Sequence, residues 1–209
     1  GRLLETLVDL GHSPESTSRA LWELAVFRLT IDEDAEQARA LLEQGVDQNP
    51  KDATAWLELE LLAAADGDED VQARALEARS QLVQDPTRQG VLLIELAELV
   101  AAQGDFGRAA NLLDTVVALE GSARYMSRLA LERVARQAED TELQAHALEG
   151  QAELIAQSLE DASLADRNGV PRTMCTPARA AEAWLRAGEL RRRSGDAWGA
   201  VAARTAASE

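Results

Sequence analysis

The chain has 209 residues, a formal net charge of −16 and only 3% aromatic residues, with Ala and Leu dominating. So acidic a balance argues against a nucleic-acid surface, which needs a basic footprint, and the Ala/Leu mixture favours packed helices over sheets. Cys175 is the single cysteine, so no intrachain disulfide can form. No apolar run reaches the ~18 residues expected of a membrane span, and the start of the chain lacks the basic region and cleavage site of a signal peptide. A cytoplasmic location is the default expectation. Gly1 in place of Met, and a last helix that stops at Glu209, are what a segment cut from a longer protein would show.

In chain order, Leu3, Leu4, Leu7, Val8 and Leu10 form one apolar stripe, the expected end of a helix that covers the open face of the first helix pair. Gly11, Ser13 and Pro14 break it, and Ser16 or Thr17 can cap the next helix. Arg19 to Asp52 then sets a 34-residue frame, with Trp22, Ala25, Val26, Leu29, Ala38, Leu42, Gly45 and Pro50 at positions 4, 7, 8, 11, 20, 24, 27 and 32. The spacing predicts helix A near 18–31, a cap at Asp32 or Asp34, helix B near 35–48 and a Pro stop. Ala53 opens a second unit with Trp56, Leu59, Ala63 and Gly67, closed by Pro86 after a two-residue insertion. Gly90 to Ala123 fits without a gap, from Leu93, Leu96 and Ala97 through Gly104 and Ala109 to Gly121 where Pro is usual. A weaker fourth unit from Arg124 keeps Ala130, Leu131 and Val134, but Leu143 stands where a small residue belongs. Its second helix is expected from Leu143 to about Leu164, ended by Gly169 and Pro171. Thr176 and Pro177 then cap a last pair with Trp184, Ala187, Gly188, Gly195 and Ala200.

This recurring frame resembles the tetratricopeptide repeat family. The resemblance implies an all-α fold, a right-handed solenoid of antiparallel helical hairpins forming a tetratricopeptide-like superhelix. It places one array across 1–209, with units at about 19–52, 53–89 and 90–123, an irregular unit at 124–180 and a truncated one at 181–209, after an N-terminal helix and linker at 1–18. It also implies a non-catalytic protein–protein interaction scaffold that binds a peptide or partner helix in a concave groove. A sensor domain that changes shape on peptide binding, or a structural spacer, are the alternatives from other classes. Groove-facing frame positions 2, 5, 9, 12 and 13 in the family carry over to Phe27, Leu57, Leu61 and Ile94 at an apolar amino end, and to Arg128, Arg136, Arg192 and Arg193 at a cationic carboxyl end. A partner with a hydrophobic segment beside acidic residues would match both. The co-chaperone members hold an acidic carboxyl-terminal tail with Lys and Asn at positions 5 and 9 of the first unit, where this chain has Glu23 and Phe27. The exposed ends of an array, here near Val201, are candidate surfaces for a homo-oligomer.

Charge is uneven. Thirteen acidic residues between Ile31 and Asp70 face only Arg39 and Lys51, whereas Pro171 to Glu209 carries seven Arg against four acidic residues. The acidic runs at 32–34 and 66–70 both fall in A-to-B turns, where they can cap helix B or form a docking edge for a basic partner. Asp66, Asp68, Asp70 and Glu77 mimic a calcium loop, but Val71 stands where that loop needs Gly, so no metal is expected. Cys175 with His12 or His146 has no nucleophile context, and no Gly-rich phosphate loop exists, so neither catalysis nor a cofactor is expected. The irregular stretch Thr141 to Pro177 is an insertion of the kind that often lies on a binding face.

Overall fold

The computed structural model describes Thr6, Val8 and residues 13–208. The stripe from Leu3 to Leu10, and His12, otherwise lie outside the described residues. Among those residues there are eleven α-helices and no strand. The chain divides into two compact units, 1–82 and 83–209. The first holds α1 (Pro14–Thr30), α2 (Ala35–Gln48), α3 (Ala53–Asp66) and α4 (Glu69–Leu82). The second holds α5 (Pro86–Ala102), α6 (Phe106–Ala118), α7 (Arg124–Gln137), α8 (Thr141–Glu160), α9 (Ala162–Asn168), a 3-10 turn (Arg172–Met174), α10 (Pro177–Ser194) and α11 (Ala197–Ala206).

One turn recurs between the helices of every pair. A residue takes the left-handed conformation, at Glu33, Gly67, Gly104, Glu139 and Gly195, with φ of 54°, 73°, 89°, 55° and 89°. The Asp that comes next caps the second helix. Asp34, Asp68, Asp105, Asp140 and Asp196 accept, through Oδ1, the backbone N–H of Gln37, Val71, Arg108, Leu143 and Gly199 at 2.8–3.1 Å. Each carboxylate satisfies an orphan donor and lies at the positive end of the helix dipole. With frames opening at Arg19, Ala53, Gly90 and Ala181, the pair of residues falls at positions 15 and 16. In the fourth pair it falls one residue later than the sequence spacing predicts, so the frame there opens at Tyr125, and Arg124 lies between the third and fourth pairs, its Nε donating to Val117 O.

Small residues let the helices of a pair approach. Ala25, Ala38, Ala97, Ala109 and Ala187 are buried to 1% exposure or less, and Ala200 to 5%. In the first unit they pack with Leu42, Val46, Trp56, Leu59 and Ala75, while Trp56 Nε1 donates to Pro50 O at 2.9 Å. In the second unit α7 and α10 are each wedged between B-type neighbours: α7 packs on α6 and α8, and α10 on α8 and α11.

Three boundaries differ from the sequence reading. Helix α1 begins at Pro14 rather than near Ser18, because Ser13, and not Ser16 or Thr17, is its cap: Ser13 Oγ accepts Ser16 N–H at 3.2 Å while Ser16 Oγ accepts Ser13 N–H at 3.1 Å. Pro86 opens α5 behind the Asp85 cap rather than closing the second helix pair, because its missing N–H costs nothing in a first turn. The helix expected to reach Leu164 stops at Glu160: Asp161, extended at φ −138°, ends α8 and caps α9 by accepting Ser163 N–H. Gly169, at φ 70°, ends α9 instead, and Thr176 and Pro177 start α10 as the sequence predicts.

Replacing left-handed Glu33 by Gly removes backbone strain at some cost in unfolded-chain entropy, so Glu33→Gly should stabilise the protein by about 0.5–1 kcal/mol in urea unfolding. Ala109→Leu should destabilise it by about 1–3 kcal/mol in the same assay, because the crossing has no room for the added carbons.

Candidate functional site

The frame shift in the fourth pair decides which side chains reach the surface. Counted from Tyr125, position 4 is Arg128, and in the other pairs that position holds Trp22, Trp56, Leu93 and Trp184. Arg128 follows them inward. Its side chain is only 11% exposed and lies between α6 and α8, with Nη1 donating to Asp114 Oδ1 at 2.7 Å and meeting His146 Nε2 at 3.2 Å. Gly150 on α8 makes this possible, because any Cβ there would run into the guanidinium. Arg128 therefore does not join the expected groove set. Ile94 does not either, at 6% exposure.

Counted the same way, the groove positions of α7 become Met126, Leu129, Arg133, Arg136 and Gln137, and this is its outward stripe. Met126 is 50% exposed and Leu129 half-buried. On α10 the matching stripe is Glu182, Leu185, Arg186, Glu189, Arg192 and Arg193, with Leu185 53% exposed. We call the surface formed by α5, α7 and α10 the A face of the second unit.

A buried carboxylate organises this face. The side chain of Glu132, on α7, is 6% exposed. Its Oε1 accepts from Arg136 Nη2 at 2.6 Å and from Arg186 Nη2 at 2.7 Å, and its Oε2 accepts from Gln151 Nε2 at 2.8 Å. Helices α7, α8 and α10 thus meet at one charge. Burial raises the cost of ionising Glu132, but hydrogen bonds from Gln151 and Arg136 and the fields of Arg186 and Arg136 outweigh it, so its pKa falls below the ordinary value. Arg136 and Arg186 remain 58% and 51% exposed, anchored at one end with further N–H groups outward.

A second cluster repeats the design at the surface. Arg192 grips Glu189 with both Nε and Nη2, at 2.9 and 2.8 Å, and Arg193 Nε donates to the same carboxylate at 3.0 Å. These bonds, that of Arg192 first, lower the Glu189 pKa to about 2. Arg133 completes the stripe by pairing with Glu98 of α5. Two arginines per carboxylate leave each of the first two clusters with one formal positive charge.

In the first unit the frame reading needs no shift. Phe27 and Leu57 are half-buried, and Leu61 and Ile31 are exposed, on the outward stripes of α1 and α3. The acidic turns are occupied locally: Asp32 pairs with Arg28 at 2.6 Å, and Asp68 Oδ2 with Arg39 while its Oδ1 caps α4. Cys175 Sγ donates to Pro171 O at 3.6 Å and His146 sits with Arg128 and Asp114, so each has its own neighbours.

Among the described residues, five helix pairs with a shared turn and frame define a tetratricopeptide-like helical-repeat fold. The chain is similar to the solved structure of YrrB, described as a TPR protein with an unusual peptide-binding site, at 13% identity over 91% of this chain and 84% of that one, with a TM-score of 0.47. It is also similar to the TPR-like repeats of a putative kinesin light chain from Podosopora anserina, at 20% identity over 95% and 96%, TM-score 0.46, and to BtubC from P. vanneervenii, at 17% identity over 99% and 86%, TM-score 0.44. No family model and no curated protein matches the sequence. No described helix is long and apolar enough to cross a membrane.

A signal that Arg186 would be recruited was present in Glu132 itself, a carboxylate set among Ala130, Leu131, Val134 and Ala135 that must find a cation when buried, although the sequence does not say which one. Because folding lowers its pKa, the stability Glu132 supplies is fully present above the unfolded-state carboxylate range and is lost as pH falls through its folded value. Glu132→Gln should therefore be less stable than the parent at neutral pH and lose stability less steeply on acidification below about pH 5, measured by urea unfolding across pH. Parallel profiles for the two proteins would contradict the arrangement.

Proposed function

We propose that the chain is a non-catalytic protein-interaction scaffold that captures a peptide or partner helix on the A face of its second unit. The observation that carries this reading is the pairing, on that face, of half-exposed Met126 and Leu185 with arginines held in place by Glu132 and Glu189. Exposed large apolar side chains provide the contact area. Guanidiniums already fixed at one end lose little freedom when their outward N–H groups take a carboxylate, which favours binding of acidic residues. The partner is accordingly a segment with bulky apolar residues flanked by Asp or Glu. Phe27, Leu57 and Leu61 offer the first unit an apolar surface of its own.

The test leaves Arg136 and Arg186 in place, since removing both would strand the buried Glu132 charge. A fluorescein-labelled peptide of alternating leucines and glutamates should bind the parent chain by anisotropy, and more weakly as salt rises. Arg133→Glu combined with Arg192→Glu and Arg193→Glu should weaken it by roughly tenfold or more, with helicity by circular dichroism unchanged. Equal affinity for parent and variant would overturn the assignment of the A face. No binding to either would leave the chain a spacer.

A further inference from the structure

Toward the amino end of α10, a cleft of about 810 Å³ lies between the last turns of α8, the first turns of α10 and the end of α11. Its walls are mostly apolar and small: Ala156, Ala178 and Ala181 line its sides, with Trp184 and the 40% exposed Leu159 as the larger contacts. Small side chains on facing helices let a further helix approach to the usual interaxial distance of about 8–10 Å.

The charge of the cleft has one sign. Glu153 and Glu160 line it, both exposed, and neither carboxylate has a hydrogen bond or ion pair among the described residues. Their neighbour on the same stripe of α8, Glu149, differs in being gripped by Arg191 at 2.8 and 2.9 Å. Among the described residues no Lys or Arg lines the cleft. The carboxyl ends of α8 and α11 also face it, through Glu160 and Ser208, against the single amino end of α10, so the helix dipoles add to the negative potential.

We infer that this cleft is a docking site for a basic amphipathic helix of a partner protein, distinct from the A face. The helix lays a stripe of small and medium apolar residues against Ala156, Ala178 and Ala181 and seats one bulky residue beside Trp184 and Leu159. Glu153 and Glu160 stand seven residues apart, about 10 Å along α8, so two Lys or Arg side chains seven residues apart on the incoming helix match them. The chain then carries two docking surfaces of opposite sign, one at the first turns of α10 and the other reaching its last turns.

The probe is a fluorescein-labelled amphipathic helical peptide with a leucine stripe and two lysines seven residues apart, alongside a counterpart with glutamate in place of both lysines. The full chain should bind the lysine peptide and not the glutamate one. Glu153→Lys with Glu160→Lys should weaken binding by roughly tenfold or more, and Ala178→Arg, at an exposed position, should block the cleft without touching either carboxylate. The variant with Arg133, Arg192 and Arg193 reversed should bind the lysine peptide as the parent does, which separates this site from the A face. Equal binding of the two peptides, or loss of lysine-peptide binding only on reversal of the A-face arginines, would overturn the proposal. So would a concentration-dependent dimer in sedimentation that Ala178→Arg abolishes, which would assign the cleft to a second copy of the chain.

Discussion

The structure depends on the turn that joins the two helices of each pair. One residue in the left-handed conformation reverses the chain, and the Asp behind it closes the next helix by accepting an amide that would otherwise have no partner. The turn fixes where helix B begins, and so which residues of the two helices face each other. Only then do the alanines at the crossings meet small or apolar neighbours and allow close packing. Glycine serves the left-handed position in three pairs, while Glu33 and Glu139 hold it against the usual steric preference. That both persist there indicates that the Asp cap and the packing of the pair, rather than local preference, set the geometry.

The second unit adds a polar constraint to this apolar one. Glu132 stands where the first, third and fifth pairs keep the smaller Val26, Ala97 and Gly188, and the space is shared with Gln151 from α8. A buried carboxylate tolerates no vacancy around it, so Arg136 and Arg186 are drawn in from two helices and held half-exposed. The same bonds that tie α7 to α10 therefore orient the cations of the A face. In the proposed binding mode the same groups serve both structure and recognition, on a chain that is acidic as a whole.

Much of the fold was legible from the residues. Trp, Ala and Gly at fixed spacing locate four of the five pairs because each residue type answers a steric demand of the hairpin. The fourth pair was misplaced by one because its turn lacks glycine and its cap, Asp140, stands near Glu139 and Glu142, which blur the pattern. One residue turns a helix by about 100°, which is enough to send Arg128 inward and bring Met126 and Arg133 outward. Ion pairing was not legible: that Arg136 and Arg186 share one oxygen of Glu132 depends on the approach of two helices separated by a long, interrupted stretch. The break at Asp161 was hidden because apolar spacing continues past it at Leu164 and Ala165.

In the proposed complex an acidic partner sits on the A face of the second unit, against α7 and α10. Amide hydrogen exchange, followed by mass spectrometry on the chain with and without a saturating leucine–glutamate peptide, tests it most directly. Slowed exchange concentrated in residues 124–137 and 177–194 is expected. Protection confined to 106–118 and 141–160, on the far layer of the same unit, would contradict it.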